Sequence, residues 1–189
     1  FSSYNLGIAL LKNGNEQNGR AYLDRTGRTE SNDRATLAIK DKANLILGEK
    51  LLSENYFEAA KEVLDRVRLS GPFSNRALLS SGWADASRER FENALAPWSI
   101  LAEREVTDPA VQEAMLAVPY AYGKLGVYST AALKYETALK AFGEEIGKLD
   151  ASLTSIREGK FLKALVREEL KQDANRIVKL RNLPETPET

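Results

Sequence analysis

Between Ile46 and Pro72 the chain reads ILGEKLLSENYFEAAKEVLDRVRLSGP, two apolar stripes of helical spacing separated by a short polar break and closed by Gly71-Pro72. Within each stripe the apolar residues recur at three- and four-residue steps, which sets them on one side of an α-helix. Counted from Gly48, the marked positions fall at offsets 3, 9, 12, 16, 19 and 24: Leu51, Phe57, Ala60, Leu64, Val67 and Pro72. From Gly7 the same offsets give Leu10, Glu16, Gly19, Leu23, Thr26 and Ser31. From Gly82 they give Asp85, Phe91, Ala94, Trp98, Leu101 and Val106, and from Pro119 they give Tyr122, Tyr128, Ala131, Tyr135, Ala138 and Gly143. The residue at offset 12 is small in all four copies and the residue at offset 16 is large and apolar. The anchors at 7, 48, 82 and 119 are 41, 34 and 37 residues apart. The pattern is thus a 34-residue unit with insertions, the longer one of about two helical turns.

The physical reading is helix pairing. Small residues let two antiparallel helices approach closely, and large apolar residues fill the stripe between one pair and the next. A single pair cannot bury its apolar face alone, so successive pairs stack. The spacing predicts helices near 2–13, 16–27, 33–53, 56–69, 74–87, 90–105, 110–124 and 127–157. Ser31, Asn32 or Asp33 is expected to cap the third helix and Ser74 the fifth, while Asp108-Pro109 reads as a cap followed by proline at the first helical position. Gly71-Pro72 is expected to stop the fourth helix. Pro97 and Pro119 fall inside predicted helices, where each removes a backbone hydrogen bond and is expected to bend its helix.

This pattern resembles the tetratricopeptide repeat, best in the Leu47–Pro72 copy, which carries Leu-Gly, Phe57, Ala60, Leu64, Val67 and Pro72. The first copy departs at Glu16 and Gly19, the third at Ser81 and Asp85, and the fourth has Pro119 in place of glycine. The resemblance covers roughly residues 2–143. It implies an all-α, right-handed α-α superhelix of four helix pairs (about 2–33, 41–74, 75–108 and 110–143) with a long C-terminal helical extension. It also implies an interaction module of the protein-binding kind. In members of that family the first helix of each pair lines the concave face. The resemblance therefore nominates Leu45, Glu49, Arg76, Leu79, Trp83, Leu116, Tyr120 and Lys124 as a partner-binding groove, apolar and aromatic at its centre and charged at its edges. Trp and Tyr are frequent anchors of such surfaces; the competing reading is that Trp83 and Tyr120 pack on each other or on a neighbouring helix. The family's Lys/Asn/Arg clamp for a terminal carboxylate has no counterpart, since the matching positions hold Tyr4, Ile8, Ile46, Arg76 and Ser80 or, one repeat later, Leu45, Glu49, Ser80, Glu113 and Ala117.

Beyond the fourth copy the apolar stripe continues. Tyr135, Leu139, Phe142, Ile146, Leu149, Leu153 and Ile156 alternate in steps of 4 and 3, the seam of a coiled coil. Gly159 is expected to end or bend this helix. A second amphipathic helix is predicted over 160–182, with Leu162, Leu165, Val166, Leu170, Ala174, Ile177 and Val178 on one side and a basic face on the other. Three roles compete for it: folding back on the long helix, a homodimer arm through 144–182, or docking onto further parts of a longer polypeptide. The Pro- and Glu-rich end, 183–189, reads as a disordered tail.

Composition narrows the functional classes. Lys plus Arg number 27 and Asp plus Glu number 27, so the chain lacks the cationic surplus that nucleic acid or an anionic membrane surface demands. It has no histidine and no cysteine. That excludes a Ser-His-Asp triad, thiolate catalysis, disulfides and zinc-thiolate sites. No phosphate-binding loop or dinucleotide fingerprint is present; GEEIGK at 143–148 has one residue too few between its glycines and sits in a predicted helix. Asp85 and Glu89, four residues apart, are the one carboxylate pair considered for a hard cation, and a solvated face is the better account of them. No enzyme, no cofactor and no metal is expected.

The expectation is a non-catalytic scaffold that binds a protein or peptide segment through the groove. The alternatives are a structural or oligomerisation module acting through the C-terminal helices, or the regulatory part of a larger enzyme. Starting at Phe1, the chain reads as a piece of a longer, bacterial protein. The missing cysteines suit the cytosol and the periplasm alike and lean the reading only slightly towards the cell envelope.

Overall fold

The computed structural model describes residues 2–159, all of whose regular elements are helices. These are α1 (Ser2–Lys12), α2 (Glu16–Gly27), α3 (Arg34–Ser53), α4 (Phe57–Leu64), α5 (Ser74–Ala86), α6 (Phe91–Ala102), α7 (Pro109–Lys124) and α8 (Tyr128–Arg157). The chain divides into two compact units, residues 1–142 and 143–189. The amphipathic segment 160–182 and the tail 183–189 lie outside the described residues.

In the first unit each of the helices α1 to α6 packs on the next, and α5 also packs on α3 and on α7. That is the arrangement of stacked helix pairs: one set of alternate helices lies side by side and the other set backs it. The core has no single centre. It is a row of clusters at the joints, of which Leu23, Ala43 and Leu47 mark one, Leu45, Ala60, Leu64 and Ala77 the next, and Ala94, Trp98, Ala117 and Ala121 a third.

The repeat anchors explain the close helix approach. A Cβ built on Gly7 would lie 3.1 Å from Leu23 Cγ, one on Gly48 would lie 2.5 Å from Leu64 Cγ, and one on Gly82 would lie 2.5 Å from Trp98 Cδ1. Each large residue stands 16 positions after its glycine, so the offset seen in the sequence is a contact in space. The fourth copy departs: Pro119 is buried, but its offset-16 partner Tyr135 is exposed.

Polar pairs tie the pairs together at about the repeat distance. Lys50 Nζ donates to Glu16 Oε1 at 2.9 Å, Arg20 pairs with Glu54, and Asn75 Nδ2 donates to Asp108 Oδ2 at 2.7 Å.

Local signals hold where the chemistry is local. Asp33 accepts from the Thr36 amide at 2.8 Å at the start of α3, and Asp108 accepts from the Ala110 amide at 2.8 Å with Pro109 at the first position of α7. Pro97 and Pro119 both sit inside their helices. Ser74 does not cap α5. It is the first helical residue, Phe73 precedes it as the cap, and its hydroxyl accepts from Arg104 at 2.6 Å. The fourth helix is also shorter than the pattern predicts, ending at Leu64. The fully buried carboxylate of Asp41 accepts from Arg68 Nε at 2.9 Å and from Arg68 Nη2 at 2.7 Å, holding the chain in turns where the helix was expected to continue.

Candidate functional site

The groove residues are carried by α3, α5 and α7, the helices that pack alongside one another. Trp83 on α5 is half-buried. Its indole meets Trp98 of α6 edge to face, with centroids 4.9 Å apart and planes at 69°. Its Nε1 donates to Glu113 Oε1 of α7 at 2.7 Å. The Tyr120 ring lies 6.3 Å from Trp83 and meets Phe91 edge to face at 5.9 Å. Lys124, one turn on, places its ammonium 5.6 Å from the Tyr120 centroid. Leu116, one turn before Tyr120, is 47% exposed and Tyr120 is 38% exposed. Burial of the Trp98 indole beneath them gives this aromatic shelf a rigid base.

Two of the expected residues form the edge of the surface. The Arg76 guanidinium grips Glu49 across α5 and α3, with Nη2 at 2.7 Å from both carboxylate oxygens and Nε at 3.1 Å from Oε1. Leu79 is half-buried and packs against the two clusters that α5 shares with α6 and α7. Leu45 belongs elsewhere. It is 2% exposed, seated among Ala60, Leu64 and Ala77, and has no surface to offer a partner. The repeat had nominated it for the partner-binding groove, but its side chain packs inside the solenoid against α4 and α5. The structure brings Trp83, Leu116, Tyr120 and Lys124 together, with Glu49 and Arg76 joined to each other. Phe91 was missed as part of the shelf. Its signal was the large residue at offset 9, which starts the second helix of a pair and here reaches Tyr120 on α7.

The Asp85/Glu89 pair is not a shared helix face. α5 ends at Ala86, and Glu89 lies in the turn beyond with φ of 59°. Asp85 is instead buried between cations, its Oδ2 3.7 Å from Lys61 Nζ and its Oδ1 3.4 Å from Arg90 Nη2. Lys61 also donates to Ser81 Oγ at 2.9 Å and to both oxygens of Asp65. Burial pushes the Asp85 carboxyl above its ordinary value, against the pull of Lys61 and Arg90. Among the described residues no group of three or more acidic side chains is placed to hold a metal ion, and no helix is long and apolar enough to cross a membrane.

No protein-family model matches the chain, and no curated protein matches it in sequence. Solved structures do match in fold. MamA of AMB-1 superposes with a TM-score of 0.57 at 20% identity, covering 73% of this chain and 70% of that one. MamA of MSR-1 gives 0.55 at 20% identity, covering 76% of each chain, and a second structure of MamA of AMB-1 gives 0.53 at 19% identity over 73% and 75%. The chain has the all-α superhelical fold of tetratricopeptide type that MamA has.

Proposed function

We propose that this chain is a non-catalytic interaction scaffold that holds a protein or peptide segment against the face of α3, α5 and α7. The observation that carries the reading is the shelf of Trp83, Leu116 and Tyr120: exposed apolar area on a rigid, buried base, flanked by Lys124 and the Glu49–Arg76 pair. Interface anchors take this form, large aromatic and aliphatic groups held in place beforehand with a polar rim around them. Balanced charge supports a protein partner over nucleic acid. The solenoid fold shared with MamA supports a surface built to receive a segment.

The test is capture of partners from the native lysate by the wild-type chain, by Leu116→Glu, and by the double variant Trp83→Ala/Tyr120→Ala of unchanged helicity. A protein retained by wild type and lost by both variants supports the reading. Identical capture by all three overturns it and moves attention to α8 and the residues after it.

A further inference from the structure

A cavity of about 180 Å³ lies where α6, α7 and the first part of α8 meet, and every residue lining it falls in the first unit. Val118, Met115 and Ala102 form its apolar wall, the first buried and the other two half-buried. Ser99 and Thr137 add hydroxyls, and the exposed Glu103 and Lys134 stand at its edge. None of these residues belongs to the groove on α3, α5 and α7. The repeat shows the cavity to be a departure. In the second copy the residue 15 after the anchor is Val63, 5% exposed and packed with Leu23, Ala43 and Leu47 at the matching joint. The residue 18 after the anchor is Arg66, whose Nη1 lies 2.6 Å from Oδ1 of Asp24, itself 17 after the first anchor. At the equivalent positions of the fourth joint stand Lys134, Thr137 and Ser99. An apolar plug has become a cation, and the ion pair that clasped it has become two hydroxyls.

We propose that this cavity binds a free α-amino acid with an apolar side chain of about the size of leucine. Volume sets the scale. An apolar cavity of about 150 Å³ holds benzene, whereas a drug-sized ligand needs about 300 Å³ or more. Charge selects the head group. Among the described residues neither Glu103 nor Lys134 has a partner in ion-pair range, and they do not bridge each other although they line one cavity. A zwitterion satisfies both, its carboxylate on Lys134 and its ammonium on Glu103, with its side chain against Met115 and Val118. A simple carboxylic acid would set its charge near Glu103, and a simple amine near Lys134, a like-charge contact in either case. The hydroxyls divide in the same way. Thr137 Oγ1 donates its proton to the Leu133 carbonyl at 2.9 Å and is left to accept from the ammonium, while Ser99 can donate to the carboxylate. Within a peptide both head groups are consumed in amide bonds, so this chemistry describes the free amino acid and not a chain segment.

Titration of the full chain with L-leucine, followed by amide NMR, reads the site. Saturable shifts centred on Ser99, Met115, Val118 and Lys134 are expected, with a dissociation constant at or below roughly 1 mM. Isocaproate, which is leucine without its ammonium, and isoamylamine, which is leucine without its carboxylate, should each bind about tenfold or more weaker, because each loses a charge-assisted contact. Lys134→Val, which brings back the residue type of the second copy, and Glu103→Gln should weaken leucine binding by a similar factor with unchanged circular dichroism. The proposal is overturned by the absence of saturable shifts at these residues with L-leucine, L-methionine and L-phenylalanine. Equal binding of leucine and isocaproate also overturns it, since the ammonium then has no role, as does equal leucine binding by wild type and Lys134→Val.

Discussion

The indole of Trp98 fills the space that any side chain on Gly82 would need, Cδ1 standing 2.5 Å from the position of an added Cβ. This glycine is an element of packing, because α5 and α6 approach at the point where their sequences carry the smallest and the largest residue. Gly82→Ala gains helix propensity of about 1 kcal/mol and suffers overpacking of about 3 kcal/mol. The expected net is a loss of about 2 kcal/mol, read as a thermal midpoint lower by roughly 6 °C.

Gly123, in the last turn of α7, makes the converse case. A Cβ there meets nothing within 4 Å. Gly123→Ala should stabilise the chain by about 0.5–1 kcal/mol, through helix propensity and a less flexible unfolded state. A matched pair of melting curves for the two glycine variants checks both signs in one experiment.

Asp41 is fully buried and is gripped by Arg68, whose backbone amide also lies 3.3 Å from Oδ1. Asp41→Ala leaves the arginine without its partner and the turns after α4 without their anchor. Breaking a buried pair costs about 3–5 kcal/mol, and the partial exposure of Arg68 places this one at about 3 kcal/mol. Chemical denaturation measures it, and faster amide exchange over residues 65–72 locates it.

Asp85 predicts an unusual pH dependence. Its folded-state carboxyl is raised by burial, so the native chain binds this proton more tightly than the unfolded chain does. At this site the added stability is fully present below the ordinary value of 3.8 and is lost as pH rises through the folded value. Glu54 and Asp24 act in the opposite sense. Hydrogen bonding from Lys50 lowers Glu54; burial raises Asp24, but hydrogen bonds from Arg28 and Arg66 outweigh it. Those two lose stability as pH falls through their folded values. The checkable quantity is the difference between wild type and Asp85→Asn in denaturation midpoint. It should shift in favour of wild type as pH falls through the folded value of Asp85 towards 3.8; a difference that stays constant from neutral pH down to 3.8 contradicts the burial argument.

Leu116 and Trp83 separate binding from folding. Leu116 is exposed, so Leu116→Glu should leave stability within about 0.5 kcal/mol of wild type while abolishing capture of a groove partner. Trp83 packs on Trp98 and bonds Glu113, so Trp83→Ala should cost about 3 kcal/mol as well as binding. Calorimetric melting of each variant beside its capture assay tests the distinction.

Much of the fold was legible because its signals act over short stretches of chain. The 16-residue spacing from anchor to large residue was visible in the sequence, and the structure turns it into the contacts Gly7–Leu23, Gly48–Leu64 and Gly82–Trp98. Asp108 declared its helix start and Asp33 was one of three adjacent candidates for the other, since a cap reaches only two or three residues along the backbone. The candidate site was read less well. Trp83, Leu116, Tyr120 and Lys124 come together as the repeat implied, but Leu45 is core and Phe91 was overlooked. A position on a helix gives the direction of a side chain, and only the neighbouring helices settle whether that direction ends in solvent.

By itself, then, the sequence determined the helical repeat, the small and large positions that mark it and the absence of histidine and cysteine chemistry. These follow from residue type and periodicity alone. The tertiary structure decided the early end of α4, the burial of Asp85 and Leu45, and the joining of Arg76 to Glu49. Asp41 and Arg68 are 27 residues apart, as are Glu49 and Arg76. At such separations a contact depends on how one helix pair is stacked on the next, and the free energy of burying a side chain depends on what that neighbour brings to meet it.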